Sequence, residues 1–205
     1  MTPNLIPHLM RGALVSALAL SATAVTAQDW RSDLPAFRIG LLGGENEADR
    51  LTRNECMVAQ VSEILGIPVE LYPASDYAGV MQGLLAGQLD AASLGASGYA
   101  GIHLQDPTAV EPTFVALESD GSDGYVAMMY ARADSGITSL EDAKGKRFAF
   151  AEPNSTSGYL VPGAEMVETV GPLEEFFSEV RFSGGHEQSL VAVANGDVDA
   201  AVAWA

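Results

Sequence analysis

The stretch AEPNSTSGYLVPG, residues 151–163, decides the fold. It follows the strand-like run KRFAF, breaks at Pro153, and then sets three hydroxyl residues in a row, Ser155, Thr156 and Ser157, ahead of Gly158. A strand that ends at Pro153 and turns into a helix near Ser157 is a β–α junction, the unit of parallel sheets covered by helices. Such a junction presents a helix N-terminus at the carboxyl edge of the sheet, where ligands sit in open α/β folds. The first N–H groups of that helix have no internal partner and carry the positive end of the dipole. A tetrahedral oxyanion accepts them together with the hydroxyls, each of which donates one bond and adds no charge. Gly158 lets the backbone approach closely. An ordinary N-cap needs one hydroxyl and no ligand, so three in succession favour an anion site. No lysine or arginine lies near the three hydroxyls in the sequence, and the reading therefore rests on uncharged donors.

The segments on either side alternate in the same way. FRIGLLGG, from Phe37, reads as a strand ending in a glycine turn. A helix is expected from about Glu47 to Leu65, with Leu51, Val58, Val61 and Leu65 on one face, Gly66 ending it and Pro68 preventing its continuation. IPVELYPA is the next strand. SDYAGVMQGLLAGQLD is a second helix, capped by Ser75 or Asp76, buried through Val80, Met81, Leu84 and Leu85, and closed by Gly87. LDAASLG follows as a short strand. Further on, GYVAMMYARAD and KRFAFAEP are strands, with a short helix in ITSLEDAKGK capped by Thr138 or Ser139. EVRFSGG is another strand. HEQSLVAVANGDVDAAVAWA gives a helix with Leu190, Val193 and Ala194 inward, an Asn195-Gly196 stop and a terminal strand. Residues 77–95 and 186–204 echo one another as helix, glycine and Asp-Ala-Ala strand. The echo predicts two similar α/β lobes, residues 28–123 and 124–205, facing each other.

Residues 1–27 carry Arg11, an apolar run from Ala13 to Leu20, and small residues at Val25 and Ala27, the pattern of a cleavable secretory signal peptide. The run is too short and too rich in Ala and Ser for a transmembrane anchor, which needs ~20 residues, and no cysteine follows to carry lipid. The leader holds one basic residue and no acid, so the mature chain sets 9 basic against 27 acidic residues, a formal charge of −18. That balance excludes nucleic acid and anionic membrane surfaces as partners, since both demand clustered Lys and Arg. At physiological salt such a field is screened within ~8 Å, so local dipoles decide whether an anion binds. Cys56 is the only cysteine, so the chain has no internal disulfide. Asp90 and Asp199 recur in the echo but open strands after helix stops, where Asp is ordinary turn chemistry. No His/Cys/Asp cluster has metal spacing, and neither metal nor cofactor is expected.

The segments LYPASDYAGVMQGLLAGQLDAA, SDGSDGYVAMMYARADSGITSLEDAKGKRFAFAEPNSTSGYLVPG and GGHEQSLVAVANGDVDAA resemble the periplasmic phosphonate-binding proteins of ABC transporters. The resemblance covers nearly the whole mature chain, and the joint occurrence of DYAG, PNSTSG-x-LVP and GHE carries it. It implies a type II periplasmic-binding-protein fold of two α/β lobes joined by crossing strands. In that fold the ligand is gripped in the cleft and nothing is catalysed. By resemblance, Ser155, Thr156 and Ser157 donate to the phosphonate oxygens and His186 reaches the same headgroup. Tyr77 and Tyr125 line the pocket from the other lobe and the crossover, and Glu45 and Asn46 lie in a β–α loop that touches ligand. Relatives carry an aromatic residue after the first Asp-Ala strand, where this chain has Ser93, Leu94 and Gly95. The partners implied are a phosphonate or related phosphorus oxyanion and an ABC permease with its ATPase, in the periplasm. The resemblance also implies that about a third of a longer protein follows Ala205, with the second lobe and the return to the first incomplete and an apolar edge left at Val198 to Trp204.

Two other functions fit parts of the pattern. An exported hydrolase would use Ser155 or Ser157 as nucleophile and His186 as base, although the G-x-S-x-G elbow is absent. A sensor input domain would use the same cleft to signal to a partner.

Overall fold

The computed structural model describes residues 29–43, 46–117 and 119–204. The signal-peptide reading and Glu45 lie outside the described residues. The class is α/β, in two lobes. In the first, β1 (Phe37–Leu41), α1 (Glu47–Leu65), β2 (Val69–Pro73), α2 (Tyr77–Leu85) and β3 (Ala91–Ala92) form a parallel sheet in the order β2-β1-β3. A further helix, α3 (Ala96–Gln105), follows. In the second lobe, β4 (Ala127–Ala131) runs antiparallel to β7 (Ala200–Trp204). β5 (Arg147–Phe150) lies parallel between β7 and β6 (Glu179–Phe182), giving the order β4-β7-β5-β6. Helices α4 (Val161–Val170), α5 (Leu173–Phe176) and α6 (His186–Asn195) make the crossovers.

The echo seen in the sequence is a structural repeat. One constant shift along the chain carries β1, β2 and β3 onto β5, β6 and β7 with the pairing register intact: Arg38 opposite Glu70 becomes Arg147 opposite Glu179, and Ile39 opposite Ala91 becomes Phe148 opposite Ala200. Each copy is pinned by the same ion pair. Arg38 donates through its backbone N–H, Nε and Nη2 to Asp90, at 2.8, 2.9 and 2.8 Å. Arg147 does the same to Asp199, at 2.8, 3.1 and 2.8 Å. The spare guanidinium hydrogens reach carbonyls of the preceding helix stop, Gly87 in one copy and Gly196 in the other. The hydrogen-bonded arginine holds each carboxyl below its ordinary range. Both acids, rejected as metal ligands from sequence, are thus structural pins.

Packing follows the repeat. In the first lobe Val80, Met81, Leu84 and Ile102 are buried under the sheet with Leu42, Leu89 and Leu94 against them. In the second, Phe148, Phe150, Met166, Phe176, Phe177 and Val202 fill one face, with Phe148 stacked on Phe177 at 4.4 Å, while Ala149, Val193, Val198 and Ala201 fill the other.

Three sequence expectations are corrected, and one helix is added. The inward face of α6 is Ser189 and Val193, with Leu190 and Ala194 exposed, because that helix packs over small strand residues and needs only a narrow stripe. The Val198–Trp204 segment is not an open apolar edge: β7 is an interior strand between β4 and β5, and Ala200 to Ala203 are buried. The helix expected in ITSLEDAKGK is a single 3-10 turn, Glu141–Ala143, held by Asp142 accepting from the backbone of Thr138 and Ser139. Helix α3 went unread, since ASGYAGIHLQ has two glycines and a weak apolar stripe.

Candidate functional site

Ser155 caps the helix that follows the elbow. Its Oγ accepts the Gly158 N–H at 3.0 Å, and the chain then makes a wide π-type turn, Thr156–Leu160, before α4 begins with Pro162 in its first turn. The same Oγ lies 3.2 Å from His186 Nε2. A hydroxyl has one proton and two lone pairs. Gly158 takes one lone pair, and the imidazole takes either the proton or the second pair. Ser155 is only 1 % exposed, so it organises the elbow from beneath. Gly158 makes room for this: a Cβ there would lie 2.5 Å from Ala151 Cβ and 2.9 Å from His186 Cε1.

Thr156 points across the lobe boundary. Its Oγ1 accepts the Ser97 N–H at 2.9 Å. Helix α3 has Gly95 at its N-cap and no side-chain cap of its own, so Thr156 supplies that cap from the opposite lobe. Two acidic residues act alike. Glu152, buried behind the elbow, accepts the Tyr77 N–H at the start of α2 at 3.3 Å and the Asn154 N–H at 2.7 Å. Glu187 accepts the N–H of Asn46, the cap of α1, at 3.1 Å. Three helix N-termini of the first lobe are therefore met by acceptors of the second.

Between the lobes lies a cleft of about 470 Å³. The first lobe contributes Leu41 to Gly43, Arg50, Arg53, Asn54, Tyr77 and Ser93 to Gly95; the second contributes Ser157 and His186; Tyr125 and Trp204 close one side. Of the residues singled out from the sequence, Ser157, His186, Tyr77 and Tyr125 meet at one cavity. Tyr77 is buried as the first residue of α2, whereas Tyr125 is 47 % exposed and lies ahead of β4 rather than in it. Ser155 and Thr156 sit behind the wall. Asn46 spends its side chain capping α1 through the Asp49 N–H. Ser93, Leu94 and Gly95, noted as departing from the resembled pattern, are wall residues.

The site also contains what sequence reasoning missed. Arg50 and Arg53, distant from the elbow along the chain, stand on the cleft wall, so the absence of cations near the hydroxyls in sequence does not hold in space. Arg50 is 9 % exposed. Its Nη1 donates to the Leu41 carbonyl at 3.3 Å and closely to that of Leu42, and both Nη atoms reach the Ala74 carbonyl at 3.4 Å. The signal available in the sequence was its position one turn into α1, directly above the carboxyl end of β1. Trp204, read only as an edge residue, is a wall as well.

Comparison with known proteins agrees with this geometry. Residues 39–205 match the family model described as ABC transporter, phosphonate, periplasmic substrate-binding protein. The phosphate-import protein PhnD of Mycolicibacterium smegmatis is 31 % identical over 211 residues, covering 96 % of this chain and 65 % of that protein. The phosphonates-binding periplasmic protein of Escherichia coli is 27 % identical over 201 residues, covering 94 % of this chain and 59 % of that protein. The chain thus spans less than two thirds of the length of either. Among solved structures, a binding-protein component of an ABC phosphonate transporter from Pseudomonas aeruginosa superposes with a TM-score of 0.73 at 29 % identity, over 83 % of this chain and 57 % of that one. With the family model matched across most of its length and two lobes closing on a shared cleft, the chain belongs to the phosphonate periplasmic substrate-binding proteins of ABC transporters.

Proposed function

We propose that the protein captures a phosphonate, or a close phosphorus oxyanion such as phosphite or a phosphate ester, in the periplasm and delivers it unchanged to a membrane permease driven by its ATPase. We take residues 28–123 as the first lobe and 124–205 as the second. The observation that carries the proposal is the cleft itself, where Ser157 and His186 face Arg50, Arg53 and Tyr77 from the other lobe. In this reading Ser157 and the free N–H groups of the elbow hold the headgroup oxygens, and Ser155 holds His186 in position. Thr156 couples lobe closure to the filled elbow, and Tyr77 and Tyr125 flank the organic group. Closing the lobes removes the anion from water and strengthens each of these bonds.

The Ser155–His186 contact gives the hydrolase reading its one supporting observation. The burial of Ser155 counts against it, since a nucleophile must reach its substrate. Calorimetric titration with methylphosphonate, 2-aminoethylphosphonate, phosphite and phosphate tests the proposal. Saturable binding of at least one without phosphate release is expected; no heat with any of the four, or steady turnover, would overturn it.

A further inference from the structure

We infer that Arg50 is the residue by which the cleft reads ligand charge, favouring a dianionic headgroup over a monoanionic one of the same shape. The inference rests on the cleft being a phosphonate site. Arg50 is more than nine-tenths buried, and burying a charge is costly unless an opposite charge compensates it. Its Nη atoms bind only backbone carbonyls, of Leu41, Leu42 and Ala74. Among the described residues no carboxylate forms an ion pair with it, unlike Arg38, Arg132 and Arg147. Its Nε–H is buried without an acceptor. The side chain nevertheless borders the cleft, across from Ser157 and His186. Among the described residues no counter-charge meets it on the side where a ligand enters.

The internal repeat shows that the fold does not require a cation at this point. The shift that carries Arg38 onto Arg147 and Asp90 onto Asp199 carries Arg50 onto Tyr159. The strand ends beneath the two residues match, although Arg50 stands in α1 and Tyr159 in the wide turn: the Ala74 N–H donates to the Leu41 carbonyl at 3.0 Å, and the Ser183 N–H to the Phe150 carbonyl at 2.8 Å. Tyr159 satisfies its copy by packing edge-on against Phe150 and Phe182, at 4.9 Å each. The second lobe is thus built with a neutral ring where the first buries a guanidinium. Tyr159 packs into the core of its lobe while Arg50 borders the cleft, so the use of the guanidinium is recognition rather than folding. The second charge of a phosphonate dianion, a few ångströms from such a group at an effective dielectric near 20, alters binding by about tenfold or more.

Methylphosphonate and methanesulfonate test this, being tetrahedral anions of one shape that differ by one charge at pH 8.5. Calorimetry would give the ratio of their affinities for the wild type, for Arg50→Gln, which keeps an amide to donate to the carbonyls, and for Arg50→Lys, which keeps the charge. The wild type is expected to prefer the phosphonate. Arg50→Gln should shrink the ratio by about tenfold or more, with Arg50→Lys holding most of it. An unchanged ratio in Arg50→Gln overturns the inference, as does equal affinity of the wild type for both anions. Loss of cooperative melting in both variants would make Arg50 a residue of the fold and overturn it as well. Binding of neither anion by the wild type refutes the reading of the cleft itself, a result distinct from the others.

Discussion

Thr156→Val should loosen the joint between the lobes while leaving each lobe intact. Valine keeps the shape of threonine and removes only the hydroxyl that accepts the Ser97 N–H at 2.9 Å. Because Gly95 offers α3 no side-chain cap, that N–H would face an apolar methyl when the lobes meet. A donor stranded in this way costs about 1–3 kcal/mol when fully buried, and loss of a helix cap about 0.5–2 kcal/mol. Ser97 is only half-buried, which puts the expected loss at about 1–2 kcal/mol. For a chain of this size each kcal/mol moves the melting temperature by about 2–4 °C, so a fall of about 2–8 °C is expected. Affinity for the phosphonate should drop by about tenfold, since closure loses the same bond. Thr156→Ser, which restores the oxygen, should recover most of both. Circular-dichroism melts and calorimetry on the three proteins would check this. A Thr156→Val protein melting and binding like the wild type would show that the cross-lobe cap stabilises nothing.

A Gly95→Ala substitution places its methyl 2.6 Å from Thr156 Oγ1 and 3.3 Å from Tyr125 Oη; small-angle scattering should find the lobes held further apart, with ligand affinity down by about tenfold or more. Ser157→Ala should weaken phosphonate binding by about tenfold, the value of one hydrogen bond to a charged group, with the melt of the unliganded protein unchanged; an unaltered dissociation constant would remove Ser157 from the site. Asp199→Asn tests the pin in the second lobe through pH. The Arg147 hydrogen bond lowers the Asp199 carboxyl below its usual 3.8, so its stabilisation is complete above the unfolded value and fades as pH falls through the folded one. The variant should melt below the wild type at pH 7, and the two curves should converge below about pH 4; a gap that persists in acid would mean the charge is not its source.

The sequence disclosed the parts of this molecule that depend on local chemistry. The Asp76 cap, the Gly66 stop, the apolar face of α2 and the strand–elbow–helix junction all follow from neighbouring residues. So did the echo, which foretold two like sheets. What stayed hidden depends on the approach of segments far apart in the chain. Nothing near Ser157 announces Arg50, since the two line one cleft from opposite lobes. Nothing in the three hydroxyls says that they divide their labour, Ser155 inward, Thr156 to the other lobe and Ser157 to the cavity. Their like chemistry points three ways because successive residues at a helix start project in different directions, each onto a different neighbour. The inward face of α6 was misjudged for a related reason: the helix sits over Ala149 and Ala201, and small strand residues bring it close enough that Ser189 is buried and Leu190 is not.

The repeat also separates the scaffold from the site. Where the two copies agree, at Arg38 and Arg147, Asp90 and Asp199, Glu70 and Glu179, the residues lie at the amino ends of the strands, and the arginine–aspartate pairs pin the sheet. Where they disagree, as in Tyr77 against His186, Asn46 against Ser155, Gly95 against Trp204 and Arg50 against Tyr159, the residues lie at the carboxyl ends, on or behind the cleft. An α/β sheet binds ligand at that end. A duplicated scaffold can therefore keep its amino-end ion pairs and vary its carboxyl end without strain. The division yields a joint expectation for Arg38→Gln and Arg147→Gln. These sites share no partners, so their effects on the melting temperature should add, while the preference for methylphosphonate over methanesulfonate should stay at its wild-type value. A change in that preference would mean that the amino-end pins set the shape of the cleft, and the separation of scaffold from site would fail.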